Sequence, residues 1–494
     1  MIDFFIATFY TIQKQGEVMR FRLIFSINAL MLMGCGLLMI IPAIVDAVSL
    51  HDFFNAFTLS SCVTILTGLF LFLICSPTKE PLRTKEMFLT TTLMWLLYTT
   101  FSALPFYLPP HAHSIADAFF ESMSGLTGTG ATILTQLETE SAGILLWRSM
   151  SQWFGAIGII VMALIILPTL KIGGMQLFST ESSMLSERIN PTVRQSIRDI
   201  LIYFVFLTIA CGVSLWIAGM SPFDAINHAM TTLSTGGFST HDTSIMYFKN
   251  PTIEWLLIFF MIMGGLPIVL GPHVFYRRWH NIKNNVQIKT FLKVLIIASF
   301  LLMLTIGWHR ARDVIFQVVS IVTTTGFVSA PYGTWGSFAT TLFLFLLVSG
   351  ACSGSTSGGI KMFRFSVIGR VMATKLKSTI KPHAVFVPKY GQQIIDSQIT
   401  DGILLFLGLF IITFGVSTLT LTAIGLDYVT AFSGSLSCIS NIGPGLGSVI
   451  GPDQTYATLP NTAKWILAFV MLAGRLEFTS LVVLFLPFLW RRNT

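Results

Sequence analysis

The chain has 494 residues, 53% of them hydrophobic and only 11% charged, with a net charge of +8. Soluble domains carry about 25% charged residues. The composition therefore excludes a soluble globular protein, because one core could not bury so much apolar surface.

In chain order, ten apolar runs are long enough for a hydrocarbon core about 30 Å thick. They cover about 21–47, 53–76, 87–109, 143–169, 198–219, 253–276, 288–308, 336–364, 400–424 and 464–489. The first is too long and too far from Met1 to be an ordinary cleaved signal peptide, so it reads as a membrane helix. If each run spans once from a cytoplasmic amino terminus, one side holds 24 of the 30 Lys and Arg residues, in 1–22, 77–86, 170–198, 277–293, 361–390 and 490–494. The other side holds Lys249, Arg310, Arg312 and Lys464, while Arg148 and Arg475 lie inside spans. This asymmetry predicts that both termini are cytoplasmic. It also accounts for the basic charge, so no nucleic-acid partner is expected. The partner of most of the surface is the lipid bilayer. Six scattered cysteines without a CxxC pair read as small buried hydrophobes.

The outer loops repeat a pattern. "DAFFESMSGLTGTGAT" (117–132), "DAINHAMTTLSTGGF" (224–238), "DVIFQVVSIVTTTGF" (313–327) and "DYVTAFSGSLSCISNIGPG" (427–445) each join a short apolar stretch to a glycine in a polar setting. The stretches are too short to span, which predicts re-entrant helices. Asp117 to Gly130 is 13 residues, Asp224 to Gly236 is 12 and Asp313 to Gly326 is 13. Asp427 to Gly443 is 16, which shifts the expected start of the fourth helix to Thr430. TGG and TTG strings also occur in ordinary turns, but four copies on one side between long spans indicate an internal repeat. The predicted fold is an all-α polytopic membrane protein. Two N-terminal transmembrane helices (1–78) precede four parallel helix–pore loop–helix repeats, 79–196, 197–287, 288–395 and 396–494, around a pseudo-fourfold pore.

Non-helical backbone survives at membrane depth only where it is buried in protein or lines a cavity. Loops whose carbonyls face a common axis can replace a cation's hydration shell, and glycine lets backbone approach that axis. Asp117, Asp224, Asp313 and Thr430 are expected to cap the short helices. The helices' carboxyl ends would then favour a cation at the bilayer centre. Divalent sites usually recruit carboxylates, and none lies beside these glycines, so a monovalent ion is expected.

These four motifs resemble the selectivity-filter segments of the TrkH/KtrB family of bacterial potassium-uptake proteins. "STGGFSTHD" (234–242) is similar to that family's second filter segment, "SNIGPGLG" (440–447) to its fourth, and "ACSGSTSGGIK" (351–361) to the gating loop of its third repeat. The two extra N-terminal spans resemble TrkH rather than the shorter KtrB. The resemblance implies a channel-like potassium pathway in the bacterial inner membrane, a homodimer with one pore per protomer, and regulation by a TrkA-type cytosolic nucleotide-binding subunit. Potassium is then the transported ion, and the chain carries no organic cofactor.

Carried over by position, the resemblance implies a filter of Thr129, Gly130, Thr235, Gly236, Thr325, Gly326, Ile442 and Gly443. Gly128, Ala131, Ser234, Gly237, Thr324, Phe327, Asn441 and Pro444 would flank it. A gate near 350–359 would use Gly350, Cys352, Gly354, Ser355, Gly358 and Gly359. Arg475 would stand below the filter as an electrostatic barrier. In plant relatives, serine at the first filter glycine goes with sodium permeation, so four glycines imply potassium. Gly128 departs from an expected threonine and implies a more flexible first loop.

Other residues have plainer readings. Glu477 is a weak partner for Arg475, since residues two apart on a helix do not face each other. Glu121, His228 and the pair His241–Asp242 read as structural, and Arg148 as interfacial or ion-paired. The stretch 361–390 could meet anionic lipid or a regulatory subunit, or simply signal topology. The run from 336 to about 375 is too long for one span, which predicts a helix broken at 350–359. That glycine-rich stretch is no Walker A loop, since it lacks G-x-x-x-x-G-K-[ST] and a preceding strand. A sodium- or proton-coupled symporter is the rival reading, but alternating-access folds usually show two related halves. An enzyme would need convergent catalytic residues, which the sequence does not offer.

Overall fold

The computed structural model describes residues 19–49, 54–75, 82–170, 193–271, 285–391 and 393–490. Much of the basic segments 77–86, 170–198 and 277–293, and of both tails, lies outside them. Among the described residues, seven helices are long and apolar enough to cross a membrane. Two shorter apolar helices and one bent pair account for the remaining expected runs.

The N-terminal pair comprises a helix interrupted at Met39, Phe21–Leu38 and Ile40–Ser49, and a second helix, Phe54–Cys75. Gly36 and Gly68 sit where the two backbones approach, and Ser61 Oγ donates to the Gly36 carbonyl at 2.7 Å. Small residues permit such close packing in membranes, where no hydrophobic driving force separates protein from lipid. Five of the six cysteines are buried as expected, but Cys62 is exposed on this helix. Two polar contacts dock the pair on the rest of the chain. Arg20 forms an ion pair with Glu86 at 2.6 Å. Asp46, fully buried, accepts from the Gly143 N–H at 2.6 Å and from Ser141 Oγ at 3.3 Å. It supplies an anion to the positive end of the helix Ala142–Leu170.

Four units follow. Their short helices are Ile115–Thr127, Pro222–Leu233, Ala311–Val322 and Tyr428–Ser440, each of 12 or 13 residues. At 1.5 Å per residue each is about 20 Å long, too short to cross. They are capped differently from the expectation. Ser114 and Ser221 are the caps, each accepting from the N–H of the aspartate three residues on and donating back to its carboxylate at 2.7 Å. Asp117 and Asp224 thus complete reciprocal caps rather than initiating the helices. No side chain caps the third helix, at Arg310, and Asp427, not Thr430, caps the fourth. Counted from the cap, each unit reaches its left-handed loop glycine after 16 residues: Ser114 to Gly130, Ser221 to Gly237, Arg310 to Gly326 and Asp427 to Gly443.

The helix after the loop is continuous only in the first unit. The expected runs 253–276 and 464–489 are broken, as is the anticipated case in 336–364. Pro251–Gly265 stops before Leu266-Pro267, where proline removes a donor and disfavours helix at the preceding residue. Ser337–Val348 gives way to an irregular stretch before Met362–Ile380. Asn461–Arg475 ends at left-handed Glu477 and Phe478, and the chain turns by 109°.

Asp46 links the N-terminal pair to the first unit, so Asp46→Ala should cost the roughly 1 kcal/mol typical of a lost helix cap. The thermal midpoint of the detergent-solubilised protein should fall, and an unchanged midpoint would show that the contact is inconsequential.

Candidate functional site

Each short helix ends in the same hydrogen-bonded turn. Thr129, Gly236, Thr325 and Ile442 donate their N–H groups to the carbonyls of Ser124, Thr231, Ser320 and Ser437, at 2.8–3.0 Å. The preceding residues, Gly128, Thr235, Thr324 and Asn441, donate to carbonyls three residues back and adopt φ of 63°, 52°, 58° and 54°. This is the Schellman arrangement, which requires a left-handed residue after the helix. Glycine and asparagine tolerate it, whereas a β-branched threonine is strained by roughly 1–3 kcal/mol. Gly128 therefore relieves the first loop of strain that Thr235 and Thr324 carry. The expected flexibility is countered by burial, for Gly128 packs beside Arg475.

The next left-handed glycine in each loop is Gly130, Gly237, Gly326 and Gly443. A Cβ on Gly130 would collide with the carbonyl oxygen of Gly236. One on Gly237 would collide with that of Thr325, and one on Gly326 with that of Ile442. A Cβ on Gly443 would stand 2.7 Å from the Thr129 oxygen. The contacts close a ring through all four units. They also correct the register of the second loop by one residue. Gly237, which the motif comparison placed as a flank, is the counterpart of Gly130, Gly326 and Gly443. Gly236 supplies the carbonyl that had been assigned to Thr235. With Gly237 the spacing from Asp224 is 13, matching the first and third units.

The loops are braced from behind. The Arg148–Glu121 ion pair, at 2.8 Å, is buried. Arg148 also donates to the Ser239 carbonyl and lies over the Phe238 ring, while Glu121 accepts from Thr132 and Ile133. Such a pair is retained only with its remaining polar atoms satisfied, and here it ties the first loop to the second. Gln152 contacts both sides of Gly237, and Tyr456 donates to the Gly443 carbonyl at 2.8 Å. Asn441 donates to Thr129 Oγ1 at 3.0 Å. His228 is held between the Asp224 carbonyl and Ser239 Oγ. His241 stacks on Tyr247. Ala131 and Phe327 are buried beside their glycines, and the Pro444 ring packs against Gly326.

On one side, the four left-handed glycines line a cavity of about 330 Å³ together with Asp242 and Asp453. Among the described residues the only full cation at its wall is Arg148, which Glu121 neutralises. Burial pushes the Asp242 carboxyl above its ordinary value, and neighbouring Glu138 adds to the shift.

On the other side, the stretch 349–361 fills the space beneath the loops. Ser349 and Ile360 form a bridge at its neck, where Gly350 packs against the Gly358 carbonyl. Cys352 N–H donates to the Gly265 carbonyl, Gly354 accepts from Ile268 N–H, and Ser355 Oγ bonds both the Cys352 carbonyl and Ser357 Oγ. Gly354 and Gly359 take left-handed turns, at φ 79° and 67°. Thr356 Oγ1 donates to the Leu233 carbonyl and accepts from Thr235 Oγ1 at 3.1 Å. Gly358 N–H donates to Thr324 Oγ1 at 2.9 Å, and a Cβ on Gly358 would collide with the Ser440 carbonyl. The stretch is thus hydrogen-bonded to the carboxyl ends of the second and third short helices and packed against that of the fourth. Beside it, buried Arg475 donates through Nη1 to the Thr356 carbonyl at 2.9 Å and stands next to Gly128. Among the described residues its Nε and Nη2 have no hydrogen-bond partner. Glu477 pairs instead with Arg364, which lies over the Phe406 ring, and with Lys361. A cation and a polar stretch therefore occupy the place where four helix carboxyl ends converge.

Gln152 escaped the sequence reading, Thr356 was covered only as part of the stretch 350–359, and Gly237 was displaced by one. The constant spacing from Asp224 was the available signal for Gly237. For Gln152 the signal was a polar side chain within the apolar run 143–169. For Thr356 the signal was the polar, glycine-rich stretch itself, while its partner Thr235 lies 121 residues away.

Comparison with known proteins agrees with this fold. The family model described as TrkH, a cation transport protein, matches residues 53–309 and 307–492. The chain is 38% identical to the Trk system potassium uptake protein TrkI of Halomonas elongata over 480 residues, 96% of this chain and 98% of that protein. It is 36% identical to TrkH of Salmonella typhimurium, covering 96% of this chain and all of that one. The crystal structure of the potassium transporter TrkH from Vibrio parahaemolyticus superimposes with a TM-score of 0.88 at 32% identity, over 96% of this chain and 100% of that chain. These are transport proteins, not enzymes, and the chain belongs to the TrkH family of cation transport proteins.

Proposed function

We propose that this protein takes up potassium across the bacterial inner membrane, through a channel-like pore whose filter is the ring of four loops. The observation that carries the reading is the closed cycle of glycine–carbonyl contacts from Gly130 through Gly237 and Gly326 to Gly443. A cycle of four equivalent backbone turns offers a cation oxygen ligands from every side, which is how carbonyl filters replace a hydration shell. The carbonyls of Thr129, Gly236, Thr325 and Ile442, with neighbouring backbone, are the assigned donors. Ala131, Ser234 and the other flanking residues hold the turns. The acidic cavity on the outer side would concentrate cations, and the ion is cargo held by backbone rather than a resident cofactor.

The stretch 350–359 and Arg475 are assigned as the gate. A positive charge in a low-dielectric constriction opposes cation passage, and a polar plug hydrogen-bonded to two short helices and packed against a third blocks the same path. Opening would require breaking those bonds, a task suited to a TrkA-type nucleotide-binding subunit acting from the cytoplasm. The division at 78/79, 196/197, 287/288 and 395/396, cytoplasmic termini and a homodimer complete the proposal. The charge asymmetry of the loops supports the orientation.

Gly326→Ser places a side chain against the Ile442 carbonyl at φ 81°. Preference for rubidium over sodium in proteoliposome flux should fall by about tenfold, which corresponds to roughly 1.4 kcal/mol. An unchanged ratio would remove Gly326 from the filter. Arg475→Ala should raise basal flux by about tenfold for a barrier lowered by roughly 1.4 kcal/mol, without a comparable change in ion preference. Flux equal to wild type would exclude Arg475 as a barrier.

A further inference from the structure

The second loop differs from the others in one residue. Where the first, third and fourth carry Thr129, Thr325 and Ile442, it carries Gly236. This glycine is not in the left-handed region, so backbone conformation does not demand it. What demands it is a neighbour, since a Cβ on Gly236 would collide with the carboxamide of Gln152. Gln152 is fully buried on the helix Ala142–Leu170. Its Nε2 donates to the Gly236 carbonyl at 2.6 Å, and its Oε1 accepts from the Phe238 N–H at 3.2 Å. One side chain from the first unit therefore straddles Gly237 in the second. Among the described residues no other loop glycine is straddled in this way.

We propose that Gln152 is a specificity-determining positioning residue, which sets the direction of the Gly236 carbonyl, and that Gly236 is glycine in order to seat it. The proposal rests on the filter reading above. A planar carboxamide carries its donor nitrogen and acceptor oxygen at two fixed positions, so it can hold two successive peptide groups in fixed orientation, which a methyl cannot. The Gly236 oxygen also packs against Gly130, so turning it would disturb the contact between the first and second units. One of its two lone pairs is committed to Gln152, leaving the other for an ion in a fixed direction. Sequence position alone conceals the arrangement, because Gln152 and Gly236 are 84 residues apart.

The test is rubidium and sodium tracer flux in proteoliposomes for Gln152→Met, Gln152→Glu and Gly326→Ser, each confirmed monodisperse in detergent. Gln152→Met keeps the volume and removes both bonds, and Gln152→Glu keeps the acceptor but places negative charge against the Gly236 oxygen. Both should lower rubidium preference by about fivefold, the factor that one hydrogen bond of ordinary strength represents. Unchanged preference in both, with preference lost in Gly326→Ser, would overturn the clamp while sparing the filter reading. Unchanged preference in all three would overturn the filter reading and the clamp with it. If Gln152→Met does not fold, Gln152→Ser combined with Gly236→Ala refills the vacated space and is read instead. Preference lost in that pair supports the proposal, and wild-type preference overturns it.

Discussion

The structure depends on a steric constraint between four glycines and four carbonyl oxygens. Each of Gly130, Gly237, Gly326 and Gly443 is pressed against an oxygen of the next unit, leaving no room for a side chain. No unit can form this surface alone, because each glycine borrows its neighbour's carbonyl. The short helices, their caps and the Schellman turns deliver four backbone segments to one place at one height. The common distance of 16 residues from cap to glycine is the sequence expression of that requirement.

The same constraint explains the irregularity of the surrounding helices. Where the helix after the loop is continuous, in the first unit, it contributes Gln152 and Arg148 as braces. Where it breaks, in the other three, it makes room beneath the loops or supplies what fills that room. Gly264 and Gly265 face the loop turns and the inserted stretch, the insertion itself follows Val348, and Arg475 ends the last of these helices. The strained Thr235 and Thr324 present their hydroxyls to Thr356 and Gly358. Part of the cost of placing threonine in the left-handed region is thus offset by bonds to the inserted stretch. Loop geometry and the inserted stretch are physically coupled through these two side chains.

Much of this was legible in the sequence. Hydropathy located all ten apolar runs, and the fourfold motif predicted short helices that do not span. The break near 350–359 followed from a run too long for one span. Three features were not legible, each for a physical reason. The register of the second loop was misread because Gly236 and Gly237 are adjacent and only backbone conformation tells them apart. The breaks after Gly265 and Arg475 fall inside runs that are apolar on average, so hydropathy does not register them, although Pro267 and the charges of Arg475 and Glu477 mark the places. Gln152 and Thr356 act through contacts 84 and 121 residues away, beyond any local pattern.

The most direct test of the central claim is a structure determined in rubidium chloride, with anomalous or difference density used to locate the ion. The account predicts density on the pseudo-fourfold axis at the level of the Thr129, Gly236, Thr325 and Ile442 carbonyls, contacted by all four loops. Density that sits instead on the carboxylates of the outer cavity, with none inside the ring, would contradict it.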